Sequence, residues 1–212
     1  MSLEERHEII KATINKIASE LNFDEPIRET AHEFFEAIKD DKIANTSVIQ
    51  PTRVAGAITI VAARYHGVMP SVRQIARVAR GSAGFIISLT YDIVSRLVDA
   101  YAEKDVEKAC TIVGRTLAQD EWIHNAIVRA YEIVRSTEPL DKEPPSYAVK
   151  LAALYVLTAC RRVPLSLAIT MLRLDYDRAV EGITVVDDAI NKNAPDLREE
   201  CGKYVGIVGR RA

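Results

Sequence analysis

The sequence predicts an all-α protein built from two tandem copies of one five-helix unit, and three observations carry that expectation. Apolar residues recur at helical spacing through both halves. Shifting the first half by 96 positions lays its apolar pattern over that of the second. A pair of prolines, nineteen positions apart, brackets an alanine-rich segment in each half, Pro51 and Pro70 in one and Pro145 and Pro164 in the other.

The first two helices follow from the shift. Ile10, Ile14, Ile17 and Leu21 form one apolar stripe, and Ile27, Ala31, Phe34, Phe35 and Ile38 form the next. Their partners at plus 96 are Val106, Cys110, Val113 and Leu117, then Ile123, Ile127, Ala130, Tyr131 and Val134, every one apolar or aromatic. The third helix runs from each first proline through Ala55 to Arg64 or Ala148 to Arg161. Its small side chains and apolar residues on most sides predict a buried central helix, which neighbours approach closely.

After each second proline a short helix is expected, with Ile75 and Val78 matching Ile169 and Leu172. Ser71 and Gln74 read as a capping box that opens the first copy. The turns are Gly81 to Gly84 and Leu174 to Asp177. The last helix repeats Ile87, Tyr91, Val94 and Val98 as Ala179, Ile183, Val186 and Ile190. Short helix, tight turn and longer helix have helix-turn-helix character, an arrangement that serves DNA recognition and ordinary packing alike. The expected division is residues 4–99, 100–192 and a tail, 193–212, whose glycines and Arg210-Arg211 suggest partial disorder.

Composition agrees with an ordered globular chain: 212 residues, 48% apolar, 27% charged and a net charge of −2. No apolar run reaches the roughly 20 residues of a membrane span, and the N-terminus lacks a secretory signal pattern, so an intracellular protein is expected. Cys110, Cys160 and Cys201 are odd in number and far apart, which signals neither a disulfide framework nor a zinc site. Cys110 and Cys160 are expected to be reduced core residues.

The two five-helix units, with their alanine-rich helices ending in a basic residue, resemble the cyclin-like repeats in the core of the transcription factor IIB and archaeal transcription factor B family. The resemblance is carried by Leu21 to Ala31, Val61-Ala-Ala-Arg64, Met69-Pro-Ser-Val-Arg-Gln-Ile-Ala76 and Tyr155-Val-Leu-Thr-Ala-Cys-Arg161, over about residues 5–192. It implies cyclin-like helical bundles, no enzymatic activity and no cofactor. It implies a role in transcription, with the TATA-binding protein or RNA polymerase subunits as partners and flanking promoter DNA as a further one. The setting it implies is an archaeal cytoplasm or a eukaryotic nucleus. Two features depart from the family. The chain starts at the first repeat, where the family carries a zinc ribbon and linker, and Val180 and Gly182 stand where promoter-reading arginines are expected in the second repeat's last helix.

Charge separates the two units. Between Arg53 and Arg96 stand six arginines against one acid, Asp92, and no lysine. Arg73, Arg77 and Arg80, four and three positions apart, are expected to share one face, the place where a helix-turn-helix meets a phosphate backbone. With Arg53 they are the candidate nucleic-acid-binding residues; the alternative is pairing with acids of the first two helices or plain solvation of a surface. Arg64 is expected to be structural. In the second unit, Arg173 and Arg178 are accompanied by Asp175, Asp177, Glu181, Asp187 and Asp188, a surface that repels DNA and suits a basic protein or plain solvation. The four histidines, His7, His32, His66 and His124, are scattered, with His32 and His124 expected on exposed faces, and Trp122 is expected to pack between helices. No catalytic or metal-binding motif stands out. A cyclin-like adaptor without a nucleic-acid role is the other functional expectation.

Overall fold

The computed structural model describes residues 1–118, 121–160 and 163–208, and these divide into two compact units, Met1–Ala100 and Tyr101–Ala212. Among the described residues all regular structure is helical.

The first unit begins with α1 (Leu3–Glu20), opened by a complete capping box in which Ser2 and Glu5 each bond the other's backbone N–H. Helix α2 (Glu25–Ile38) starts with Pro26 in its first turn, and α3 (Lys42–Asn45) is a single turn capped by Asp41. The central α4 (Pro51–Tyr65) contacts α1, α2, α3 and the short α5 (Val72–Val78). Every residue from Val54 to Ala63 is buried, as the run of small and apolar residues requires. Helix α6 (Ala83–Tyr101) closes the unit. Arg6 is buried at 2% exposure because its guanidinium donates to the carbonyls of Ala44 and Ile49, tying α1 to the segment that leads into α4.

The second unit repeats this order. Helix α7 (Val106–Val113) continues as a π-helical turn at Gly114–Ala118, followed by α8 (Glu121–Arg135) and a 3-10 turn at Leu140–Lys142 where the first unit has α3. Gly114 has a steric reason: a Cβ there would lie 3.0 Å from the Cα of His124. The central α9 (Pro145–Ala159) contacts α7, α8, α10 (Leu165–Leu172), α11 (Tyr176–Asn193) and α12 (Pro195–Val208).

Three expectations need correction. The residues 193–212 do not form a loose tail throughout. Helix α12 starts with Pro195 at its first position and is anchored by Leu197, 0% exposed, and Cys201. Arg129 of α8 holds it from the side, with bonds to Glu200 at 2.9 Å and to Asp196. Arg210 and Arg211 lie outside the described residues, as does Arg161 at the end of the third-helix motif. Secondly, Cys160 is not a free thiol: it is joined to Cys201, 41 positions away, across a Cα separation of 4.3 Å. Sequence spacing hid that pair because α12 returns to the end of α9. Cys110 is buried and free, its thiol pushed up to about 12 by burial.

Thirdly, the register of the repeat changes after the central helix. Pro51 and Pro145 both begin their helices, but Pro70 precedes the cap Ser71, whereas Pro164 is itself the cap of α10. From there the two copies match at a shift of 93. The buried Ile75, Ala76 and Ala79 correspond to Ala168, Ile169 and Leu172, and the buried Ile86, Leu89, Ile93 and Leu97 to Ala179, Gly182, Val186 and Ile190. Of the expected stripe on α6, Val94 and Val98 are buried, whereas Ile87 and Tyr91 are only half-buried. The backbone keeps the same register, with Arg80 and Arg173 both at a φ of 53° just beyond their short helices.

Candidate functional site

The charged face of the first unit is set by how α5 is held. Ile75, Ala76 and Ala79 sit in a cluster with Ile17, Ile60 and Ile86, so that side of α5 faces the core. Gly56 of α4 permits the approach, since a Cβ there would lie 3.0 Å from that of Ala79. Arg73, Arg77 and Arg80 therefore fall on the other side, and all three are exposed. Among the described residues none of their guanidinium groups makes an ion pair, so of the alternatives to nucleic-acid contact, pairing with acids of α1 and α2 does not occur.

The start of α5 contains half of the expected capping box: Ser71 Oγ accepts from the Gln74 N–H at 3.4 Å. Its end is a reverse turn in which Gly81 N–H donates to Ala76 O at 2.9 Å. This turn places Arg80 in the left-handed region, which costs a non-glycine residue about 1 kcal/mol.

Arg53 has a different situation from the other three. It is half-buried, its guanidinium lies over the Phe85 ring at 5.2 Å, and its Nε donates to Arg80 O at 3.4 Å. It thus braces the turn that carries Arg80. Arg64 is half-buried at the end of α4, where burial lowers its pKa against the opposing influence of Tyr91. Arg96 pairs with Asp41 at 3.5 Å.

In the second unit, the positions corresponding to Arg73, Arg77 and Arg80 are Ser166, Thr170 and Arg173, all exposed. Two cations are thus replaced by hydroxyls. On α11, Asp175 caps the helix through the Arg178 N–H, and Asp177, Glu181 and Asp188 are exposed. Arg178 is engaged: it pairs with Glu143 and lies over the Tyr147 ring at 4.1 Å. Gly182 points at α9, where a Cβ would meet both methyl carbons of Leu151 at 2.9 Å. Position 182 is therefore a helix contact and not a place for a base-reading side chain.

His32 and His124 are half-buried, not exposed. His32 Nε2 meets Asn15 Oδ1 at 2.8 Å, and burial with nearby Arg28 and Lys11 lowers its pKa. Trp122 is half-buried. No group of three or more potential metal ligands and no helix long and apolar enough to cross a membrane occur among the described residues. Arg198 of α12 is not among the sequence-predicted site residues, because the sequence predicts a tail from residue 193. The spacing of Leu197 and Cys201 after Pro195 was the available signal.

Compared with protein-family models and with curated proteins, the chain matches none.

Proposed function

We propose that this chain is a divergent relative of the transcription factor IIB core, made of two cyclin-like repeats, that acts by binding proteins of the transcription machinery. By that resemblance its partners are the TATA-binding protein or RNA polymerase subunits. The first unit meets DNA, with Arg73, Arg77 and Arg80 against the phosphate backbone and Arg53 bracing the turn.

The observation that carries this reading is the trio of exposed arginines on the outer side of α5 and its exit turn. Arginine's planar fork suits phosphate oxygens. The exposed hydroxyls of Ser166 and Thr170 and the acids of α11 make the second unit a poor counterpart, so DNA contact falls to the first unit alone.

The experiment is a gel-shift titration with duplex DNA across a series of salt concentrations, with and without TATA-binding protein. Three phosphate contacts give a slope of log affinity against log salt of about −3. Absence of affinity at low salt under both conditions removes the DNA role.

A second reading, an adaptor without any nucleic-acid role, is favoured by the exposed Asp177, Glu181 and Asp188 on α11. Pull-down from native extract separates the two: polymerase subunits support the first, unrelated proteins the second.

A further inference from the structure

Within the second unit, α9, α11 and α12 enclose a cleft of about 550 Å³, lined by Tyr155, Thr158, Ile183, Asp187, Asp188 and Arg198 among others. Tyr155 is 2% exposed, and its hydroxyl is buried with no hydrogen-bond partner. A buried tyrosine hydroxyl normally has one, and leaving it unmatched costs about 1–3 kcal/mol. The residue lines the cleft and keeps an unused polar atom buried in its wall.

The remaining lining specifies what can satisfy it. Thr158 Oγ1 donates to Leu154 O at 2.8 Å and to Tyr155 O at 3.0 Å, and Thr184 Oγ1 donates to Val180 O at 3.0 Å. Their protons are spent on the backbone, so each offers only lone pairs to the cleft. Asp187 and Asp188 add two carboxylates. Among the described lining residues the one cation, Arg198, is held at 3.8 Å from Asp187 Oδ1 and by Asn191 Oδ1. Two carboxylates against one guanidinium leave this described lining net negative and rich in acceptors. Ile183 and Ala159 supply apolar surface for a slender stem.

We propose that this cleft receives a basic side chain of a partner protein, an arginine guanidinium or lysine ammonium, with the Tyr155 hydroxyl accepting a hydrogen bond at the base and Asp188 balancing the charge. The site goes beyond the reading of the first unit and stands whether or not the α5 arginines meet DNA.

The test is an NMR titration of the full ¹⁵N-labelled chain with N-acetyl-argininamide and N-acetyl-lysinamide, using the uncharged N-acetyl-citrullinamide as control and spermidine as the free-cation arm. The proposal expects saturable shifts at the amides of Thr158, Ile183, Thr184, Asp187 and Asp188 with at least one basic probe and none with the control. Tyr155→Phe is expected to weaken binding about tenfold, the value of one charge-assisted hydrogen bond. It removes only the unpaired hydroxyl, so it is expected to melt no lower than the parent. Asp188→Asn, at an exposed position, gives a second and fold-neutral loss. Equal response to the uncharged probe, undiminished affinity in Tyr155→Phe, or binding of spermidine alone overturns the proposal.

Discussion

Arg53 and Phe85 form a cation–π pair between the first turns of α4 and α6, with the guanidinium 5.2 Å from the ring centroid. The second unit builds the same pair with its members exchanged. Tyr147, at the position of Arg53, supplies the ring, and Arg178, at the position of Phe85, supplies the cation at 4.1 Å. The contact of α4 with α6 thus has its counterpart in that of α9 with α11, with the residue type that makes each half exchanged. The close helix approaches differ: Gly56, on α4, makes room for Ala79 and Ile75 in the first unit, whereas Gly182, on α11, makes room for Leu151 of α9 in the second.

Arg53 is expected to act on stability and Arg73 and Arg77 on binding. A double-mutant cycle of Arg53→Met with Phe85→Leu should give a coupling of about 0.5–1 kcal/mol in urea denaturation. Arg73→Ala and Arg77→Ala should leave the urea midpoint within about 0.5 kcal/mol of the parent. Each should reduce the magnitude of the salt slope of DNA binding by about 1.

Placing an arginine at position 182, where the resemblance would put a base-reading side chain, is expected to damage the fold without creating DNA affinity. Gly182→Arg forces a long charged side chain against Leu151 and Tyr147. Overpacking and burial of charge together predict a loss of about 2 kcal/mol or more, measured by denaturant unfolding.

Helix α12 should depend on its tether to α9. The bond between Cys160 and Cys201 closes a loop of 41 positions, for which chain entropy predicts up to about 4 kcal/mol. Cys201→Ser is expected to lower the stability of the second unit and to bring hydrogen exchange in α12 forward of that in α9. Equal exchange protection in the variant and the parent would contradict this.

His32 gives a pH dependence whose direction follows from its lowered pKa. The unfolded chain binds the proton more readily than the folded one between the folded value and the ordinary value of about 6.5. Stability is therefore highest above that window and falls as the pH drops through it, levelling off below the folded value. The urea midpoint at pH 5 should lie below that at pH 7, and His32→Gln should reduce the difference.

The helices and the repeat could be read from the chain because they depend on local periodicity. Ile10, Ile14 and Ile17, and Ile123, Ile127 and Ala130, are buried where their spacing put them. The later register could not be read so well. Ile87, Tyr91, Val94 and Val98 offer as good a helical stripe as Ile86, Leu89, Ile93 and Leu97, and only tertiary packing decides that Ile86 and Ile93 are buried while Ile87 and Tyr91 are not. The arginine trio was legible because residues three and four apart share a helix face. The Tyr155 cleft was not, since its wall is assembled from three helices, α9, α11 and α12.

Local spacing alone specifies an all-helical chain, its doubled pattern and the charge contrast between the halves, since each depends on residues within a few turns of one another. The exchange of Arg53–Phe85 for Tyr147–Arg178, the union of Cys160 with Cys201 and the isolation of the Tyr155 hydroxyl were decided by the tertiary structure. Each joins residues on separate helices, and their meeting depends on how those helices cross and pack.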